Sequence, residues 1–545
     1  MKKSLILKVL VPAMVLGLAS CSKAGGSIDT YDLNVNINTR GASITMWSGF
    51  GSDMSKVLEQ LLTDFTNKTG ITVSHEGKGG YDGLLSAMNL SATKGSYPNV
   101  AIGYPDHFAT YIKQNIILRL DGLIQNDQKR YHHTELDWQG NEVKYGEDGI
   151  KLMDYDSFYD DYKEENETLE FRPDGTPYIL GVPFNKSTEV MVINKDFFDF
   201  ATAAANQTWI LEHTNNVPIV VPETWDQVKS VGNAILDLCD PYFKTLDEQG
   251  NEIAKGKILA TNCQAYDTSA EVAEAGAKIV LNLVEVTKAD FKPFTYDSQA
   301  NMIITAIRQW GGKYTEVDTD KTGKGYVVFQ EEANVGKTKE ALDFLQGLFD
   351  DGVLGIPETY DALYCSEAFK AYKSVMNVGS SGGLKNSTGG SMKVDIKPIP
   401  YKDAEHKYVI SQGTPLGMFN RGTEKERVAS WKLICYLSQQ ANGEFASKTG
   451  YFPSCEYAKN SMEYQSWLEQ DFKSPEDIAK IDAATLNNGT YLTEWTKYTD
   501  PGFRGSADIR QQVGLMPGYM LVHTYSTSQL MIDAVIKKLR DYIRK

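Results

Sequence analysis

"GVPFNKSTEVMVINKDFF", residues 181–198, joins two unlike kinds of sequence. Residues 190–193 form a short, β-branched apolar run, the pattern of a buried strand. Directly before them stand Asn185, Lys186, Ser187 and Thr188, four hydrogen-bonding side chains in succession. Polar groups at the mouth of a core strand need solvent or specific partners, because burying them unpaired is costly.

Outward from this stretch the pattern is α/β. Residues 44–47 read as a strand, and residues 56–68 place Val57, Leu58, Leu61, Leu62 and Phe65 on one helical face. Gly70 stops that helix, and residues 71–73 resume extended structure. A second helix follows over 81–94, then a strand in "NVAIGY" and a helix beginning at 108–112. This β-α-β-α-β alternation predicts a mostly parallel sheet. Residues 126–176 are acidic and aromatic with weak periodicity, as expected of a surface cover. Downstream, "YKSVMNVGSSGG" reads as a strand running into a Gly/Ser loop, and "YVISQGTPLGMF" as a strand broken at Gly413. The last 26 residues, from Met520, read as a terminal helix.

A chain of 545 residues is too long for one core, so at least two lobes are expected. The net charge of −16, with no basic block past the first residues, excludes nucleic acid as an expected partner. The N-terminus has a cationic start, an apolar run over 9–19 and then Leu18-Ala19-Ser20-Cys21. That is a secretory signal ending at a cysteine, which resembles a bacterial lipobox. The resemblance implies cleavage before Cys21 and a diacylglycerol on its sulfur. Five other cysteines remain, Cys239, Cys263, Cys365, Cys435 and Cys455; Cys239–Cys263 could pair, or all could be buried thiols.

Catalytic motifs fail on inspection. "GSSGG" at 379–383 fits G-x-S-x-G around Ser381, but a nucleophile elbow needs a helix directly after it, and 384–391 reads as loop. "DTDKTGKG" from Asp318 opens like a calcium loop, yet Phe329 stands where the bidentate Glu belongs. His132 and His133 are adjacent rather than one helical turn apart. Gly77-x-Gly79 lacks the third glycine of a dinucleotide loop.

Taken in order, "ITMW", "FTNKTGITV", "GYDGLLSAMNLSATKGSYPNVAI", "LRLDGLI", "GVPFNKSTEVMVINKDFF", "PETWDQV" and "SKTGYFP" span residues 44–455. Together they resemble the extracellular solute-binding proteins, family 1, which serve ABC importers of sugars and related polyols. The nearest pattern is that of the glycerol-3-phosphate and sugar-binding group. Its motifs correspond to Gly79-Gly80-Tyr81, residues 183–188, Ser380-Ser381-Gly382, residues 449–453 and Ile509-Arg510. Four positions depart from it. Pro105 replaces a Glu, with Asp106 beside it; Ser298 and Asn301 replace a pair of tryptophans; Lys186 replaces a serine.

The resemblance implies an α/β, two-lobe periplasmic-binding-protein-like fold (type II), with a ligand cleft between lobes joined by a multi-crossing hinge. It divides the chain into a signal peptide (1–20), a tether (21–43), lobe 1 (44–165 and 413–452) and lobe 2 (166–412 and 453–545), with an insertion around 236–290. The hinge crossings are expected near 165–180, 410–415 and 450–455. Tyr81, Ser187, Ser380, Gly413, Tyr451 and Arg510 are implied to line the cleft. Trp47 and the two tyrosines offer stacking faces, Asp106 stands by the displaced Glu position, and Arg510 offers a fork for phosphate or carboxylate. No catalytic residue, cofactor or metal is implied. The partners expected are a small solute (sugar, polyol or glycerophosphate), the transmembrane subunits of a permease, and the membrane through Cys21. A lipid-anchored hydrolase using Ser381, and a surface receptor or adhesin of the same fold, are the rival readings.

Overall fold

The computed structural model describes residues 26–243, 245–246, 252–253, 255–259, 283–287, 290–318, 320–390, 392–471 and 473–544. The signal segment and Cys21 lie outside the described residues, as do most of the 236–290 insertion and Cys263.

From the N-terminus, β1 (Ser43–Ser48), α1 (Ser52–Thr69), β2 (Thr72–Gly77), α2 (Tyr81–Ala92), β3 (Val100–Ile102) and α3 (Pro105–Lys113) form the expected alternation. α1 buries Leu58, Leu61, Leu62 and Phe65, and stops where Gly70 turns left-handed (φ 69°) and donates to the Thr66 carbonyl. β2 and β3 both pair parallel with β1.

The opening stretch corrects its own reading. β4 runs Val182–Asn194, so the polar run belongs to the strand, and all of its residues are buried. Later come β5 (Phe294–Tyr296), α4 (Gln299–Gln309), the hairpin β6 (Thr315–Val317) and β7 (Gly325–Val327), then β8 (Leu354–Gly355), β9 (Met376–Ser380) and β10 (Tyr408–Met418). α5 (Ser506–Val513) lies near the C-terminus. The expected long terminal helix is two helices, Met516–Leu521 and Ser528–Lys538, the second capped by Thr527.

One sheet runs through the molecule in the order β8-β5-β9-β4-β10-β3-β1-β2. Its two ends are parallel, and its middle is antiparallel: β9 with β4, β4 with β10, β10 with β3. Two apolar clusters flank that middle. Val182, Phe184, Leu416 and Met418 belong to the first, with β1 and β3. Val190–Ile193, Val409 and Ile410 belong to the second, with β5, β9 and α4. Both β4 and β10 therefore cross from one core to the other, and Asn185–Glu189 is the crossing. Leu169 and Leu180 pack in the first cluster, as do Cys455 and Ala458, so the core changes later in the chain than positions 165/166 and 452/453. β10 is not broken at Gly413. It continues with a register shift at Thr414/Pro415, and position 413 requires glycine because its φ is 148° and a Cβ there would lie 1.9 Å from the Asn185 carbonyl oxygen.

The 126–176 segment is more than a cover. It contains a β-hairpin (Tyr131–Leu136 with Glu142–Gly146) and a short helix (Asp160–Glu164), and it buries Tyr162, Glu165 and Asn166.

Candidate functional site

The polar crossing is built as a ladder. Asn185, Lys186, Ser187 and Thr188 face Thr414, Gly413, Gln412 and Ser411 respectively. Lys186 is buried and ion-paired to Glu165 at 2.5 Å, with its ammonium 4.7 Å from the Tyr162 ring centroid. Thr499 adds a hydroxyl donor to Glu165 at 3.2 Å. Burial pushes the Glu165 carboxyl up, and Lys186 opposes that shift. The lysine that departs from the family motif is thus neutralised by a carboxylate from the acidic segment.

Beside this ladder the lobes enclose a cavity of about 50 Å³. The first lobe contributes Tyr104, Asp106 and Glu165; β10 contributes Gln412 and Gly413. From the second lobe come Tyr314, Thr315, Asp500 and Arg510. Three buried polar atoms on this lining have no hydrogen-bond partner: Tyr314 Oη, Thr315 Oγ1 and Asp500 Oδ1. Such atoms are the kind a polar solute satisfies.

Arg510, on α5, gives Nη1 to Asp500 at 3.3 Å and Nη2 to the side-chain Oδ1 of Asn301. Asn301 in turn donates to Glu189 and to Gln412, each at 2.8 Å, and Tyr296 donates to the other Glu189 oxygen. Burial opposes the guanidinium charge, but Asp500 and Asp106 hold Arg510 above the ordinary arginine range. Burial also raises Asp500, and it pushes Glu189 up to about 7 against the pull of the Tyr296 and Asn301 hydrogen bonds.

Of the residues expected from sequence, Asp106, Gly413 and Arg510 lie on the cavity. Tyr81 and Tyr451 sit together just behind it, hydroxyls 3.5 Å apart, with Tyr81 packed on Tyr104 at a 4.7 Å centroid distance. Ser380 accepts from the Gly382 amide at 3.2 Å, capping a turn that lies against the Tyr451 ring. Ser187 is held in the ladder opposite Gln412. Trp47 is buried in the first core, its ring covered by the Lys78 ammonium at 3.8 Å. Cys365, Cys435 and Cys455 are buried free thiols.

Ser381 is no nucleophile. It is fully buried, and its Oγ accepts from the Thr188 amide at 3.4 Å. His406 and His523 contact Asp403 and Asp350 instead, and only one helical turn, Leu384–Ser387, follows the motif. His133 pairs with Glu135 at 2.8 Å on the exposed hairpin.

Sequence reasoning missed Tyr104, Glu165, Tyr314, Thr315, Gln412 and Asp500. Gln412 stood inside the quoted "SQGT" run, and Asp500 in an Asp-Pro-Gly sequence just past a strand, so a search for polar residues at strand mouths would have flagged both.

Over residues 60–470 the sequence matches the family described as bacterial extracellular solute-binding protein. The chain belongs to that family. Its members bind solutes and are not enzymes, in agreement with the buried Ser381. No sequence among curated proteins matches. Solved structures share the two-lobe fold. UgpB from Mycobacterium tuberculosis, in complex with glycerophosphocholine, is 14% identical with TM-score 0.59, covering 92% of this chain and 98% of its own. The GacH receptor of Streptomyces glaucescens, solved unliganded and with acarbose, is 14% identical with TM-score 0.58, covering 92% and 99%. MalE of Bdellovibrio bacteriovorus, bound to maltotriose, is 16% identical with TM-score 0.56, covering 92% and 100%. At these identities the likeness speaks for the fold. Among the described residues no helix is long and apolar enough to cross a membrane.

Proposed function

We propose that this family member is the solute-binding component of an ABC importer. It captures a carbohydrate, a polyol or a glycerophosphate-like solute between its lobes and delivers it to the permease's transmembrane subunits. The supporting observation is the cavity beside the β4/β10 crossing, lined from both lobes and carrying three buried polar atoms without partners. A solute that satisfies those atoms contacts both lobes at once and favours the closed arrangement over the open one by that difference in contacts. Asp106, Gly413 and Arg510 are the direct contacts in this reading. Tyr81, Tyr451, Ser187 and Ser380 set the shape around them, and Trp47 supports the first lobe from within. Cys21 would carry the lipid that tethers the body to the outer face of the cytoplasmic membrane.

A thermal-shift screen of mono- and oligosaccharides, polyols and glycerophosphates tests the reading. Binding raises the melting temperature once solute exceeds its dissociation constant. At least one class is expected to do so, with a smaller radius of gyration on binding. No shift from any class overturns the proposal. Labelling of cells with a palmitate analogue, lost in Cys21→Ser, tests the anchor separately.

A further inference from the structure

We propose that the edge of the first lobe formed by residues 170–178 is the membrane-facing surface of the protein. A docked N-terminal strap holds that edge at the phospholipid headgroups, because it leaves the Cys21 lipid only a short leash. The inference goes beyond solute capture and rests on the lipid anchor of the importer reading.

The segment expected as a tether is laid down along the first lobe. Ser27 donates its hydroxyl to Glu170 and accepts from Arg119 Nε at 2.6 Å, while Arg119 Nη2 reaches Glu170 at 3.1 Å. Ile28 pairs with Leu118 as a parallel bridge. Its amide donates to the Ile117 carbonyl at 2.9 Å, and its carbonyl accepts from the Arg119 amide at 2.7 Å. Thr30, 1% exposed, donates to the Arg119 carbonyl at 2.6 Å, and Asn126 donates to the Tyr31 carbonyl at 2.7 Å. Gly122 leaves room for the strap, since a Cβ there would lie 2.4 Å from the Tyr31 amide nitrogen. Further along, Val35 enters the first core and Thr39 accepts from Lys432 at 3.0 Å. Peeling the strap away would strand these buried partners, so it stays down.

The first fixed side chain, Ser27, stands six residues on from Cys21. Six residues span at most about 20 Å at full extension. A folded body of this length has a radius of gyration of about 24 Å, so such a leash cannot bring its far side round to the bilayer. The side that carries Ser27 is therefore the side held there. Glu170, the partner of Ser27, opens a small hairpin in which the Tyr178 amide donates to the Glu170 carbonyl at 2.9 Å and the Arg172 amide to Thr176 at 2.8 Å. At its tip the Gly175 carbonyl accepts from Lys321 of the second lobe at 2.9 Å. The lobes thus meet, beside the cavity, at the leash. The remote end is marked by Lys370, which closes the helix Ser366–Lys370 before β9. β9 runs from Met376 opposite Ile193 to Ser380 opposite Glu189, so its last residue lies at the polar crossing and Lys370 lies beyond its other end. Opening and closing then take place at headgroup level, where the permease's transmembrane subunits would receive solute.

The test uses the lipidated full chain reconstituted in phosphatidylcholine vesicles, in a Cys239→Ser, Cys263→Ser background. One fluorophore is attached at Pro173→Cys on the hairpin or at Lys370→Cys on the remote end, both exposed positions. The quencher is a nitroxide carried on the lipid headgroup. Quenching at 173 is expected to exceed that at 370 by at least about 3-fold, given a leash of about 20 Å. A second chain carries twenty Gly/Ser residues between Gly25 and Gly26, which lengthens the leash without touching the strap. That chain should bring the ratio towards one. Equal quenching at the two positions, stronger quenching at 370, none at either, or a ratio that lengthening leaves unchanged overturns the assignment of this edge. Vesicle flotation with Cys21→Ser examines the anchor itself: if that chain floats like wild type, or wild type does not float, the anchor and this inference fall together. Solute capture is decided apart from both by the thermal-shift screen, which needs no membrane.

Discussion

Two of the places where the lobes meet are held in opposite ways. At the hinge, β4 and β10 exchange backbone hydrogen bonds without interruption across the polar crossing, and Lys186 is neutralised inside it by Glu165. At the rim, the loop between β6 and β7 and the chain at Gly502 touch the 168–176 segment through isolated contacts. Lys321 reaches the Gly175 carbonyl at 2.9 Å, Thr168 donates to the Gly502 carbonyl at 3.1 Å, and Gly323 packs against Leu169. A continuous ladder can flex but cannot part without exposing a row of buried polar groups. Isolated contacts, each of one or two groups and only that of Lys321 made by an exposed side chain, part more readily than a continuous ladder. The hinge should therefore govern whether the protein folds, and the rim whether it closes.

The largest effect expected from this contrast is at Gly413. A Cβ there would meet the Asn185 carbonyl oxygen at 1.9 Å, in a backbone conformation (φ 148°) that side chains rarely adopt. Gly413→Ala should lose more than about 5 kcal/mol of stability and give little soluble protein. A urea midpoint near wild type would break the picture. Next comes Glu165→Gln, which strands the Lys186 ammonium in the interior at a loss of about 3–5 kcal/mol. The double variant Glu165→Gln with Lys186→Met should recover much of that loss. If instead the two losses add, the pair is not the unit that matters.

The contrast also explains what could be read in advance. The β-α-β-α-β opening was legible because α1 repeats a local apolar period and β1 and β3 bury local β-branched residues. The crossing was not, because the partners of Asn185–Thr188 lie more than two hundred residues away on β10, and no local pattern announces such pairing. The same holds for the cavity. Asp106 and Arg510 were reachable by resemblance, whereas Glu165 sits in a segment whose composition reads as solvated. Its burial follows only from Lys186, which arrives from another strand. Asn301 shows the reverse: read in sequence as a lost tryptophan, it is the amide that orients Arg510.

A third effect comes from pH. Burial raises Glu189 from 4.5 to about 7, so the folded chain holds a proton that the unfolded chain has released. Its stabilising contribution is complete below pH 4.5 and is lost as pH rises through about 7, a change of about 3 kcal/mol by linkage. Glu189→Gln mimics the protonated side chain and should remove this slope. Measured by urea unfolding between those pH values, wild type should fall relative to the variant as pH rises. A constant difference would mean that Glu189 is ionised throughout. Asp297, raised to about 6 by burial, contributes a slope of the same sign that persists in the variant.

The smallest effect on stability, and the sharpest on closure, belongs to the rim. Lys321 is an exposed side chain with one carbonyl partner, so Lys321→Ala should change global stability by less than about 0.5 kcal/mol. Gly323 is tighter. It has φ 70°, and a Cβ would approach the Leu169 carbonyl oxygen to 2.4 Å, so Gly323→Ala must push the hairpin away from the first lobe. Since neither residue belongs to the β4/β10 ladder, both variants should keep the wild-type urea slope while small-angle scattering records a larger radius of gyration, more so for Gly323→Ala. A cysteine pair at 175 and 321 supplies the converse, because a disulfide across the rim should hold the compact radius whether or not solute is present. If Gly323→Ala lowered the unfolding midpoint as much as Glu165→Gln does, the rim would be part of the folding core, and the division between hinge and clasp would fail.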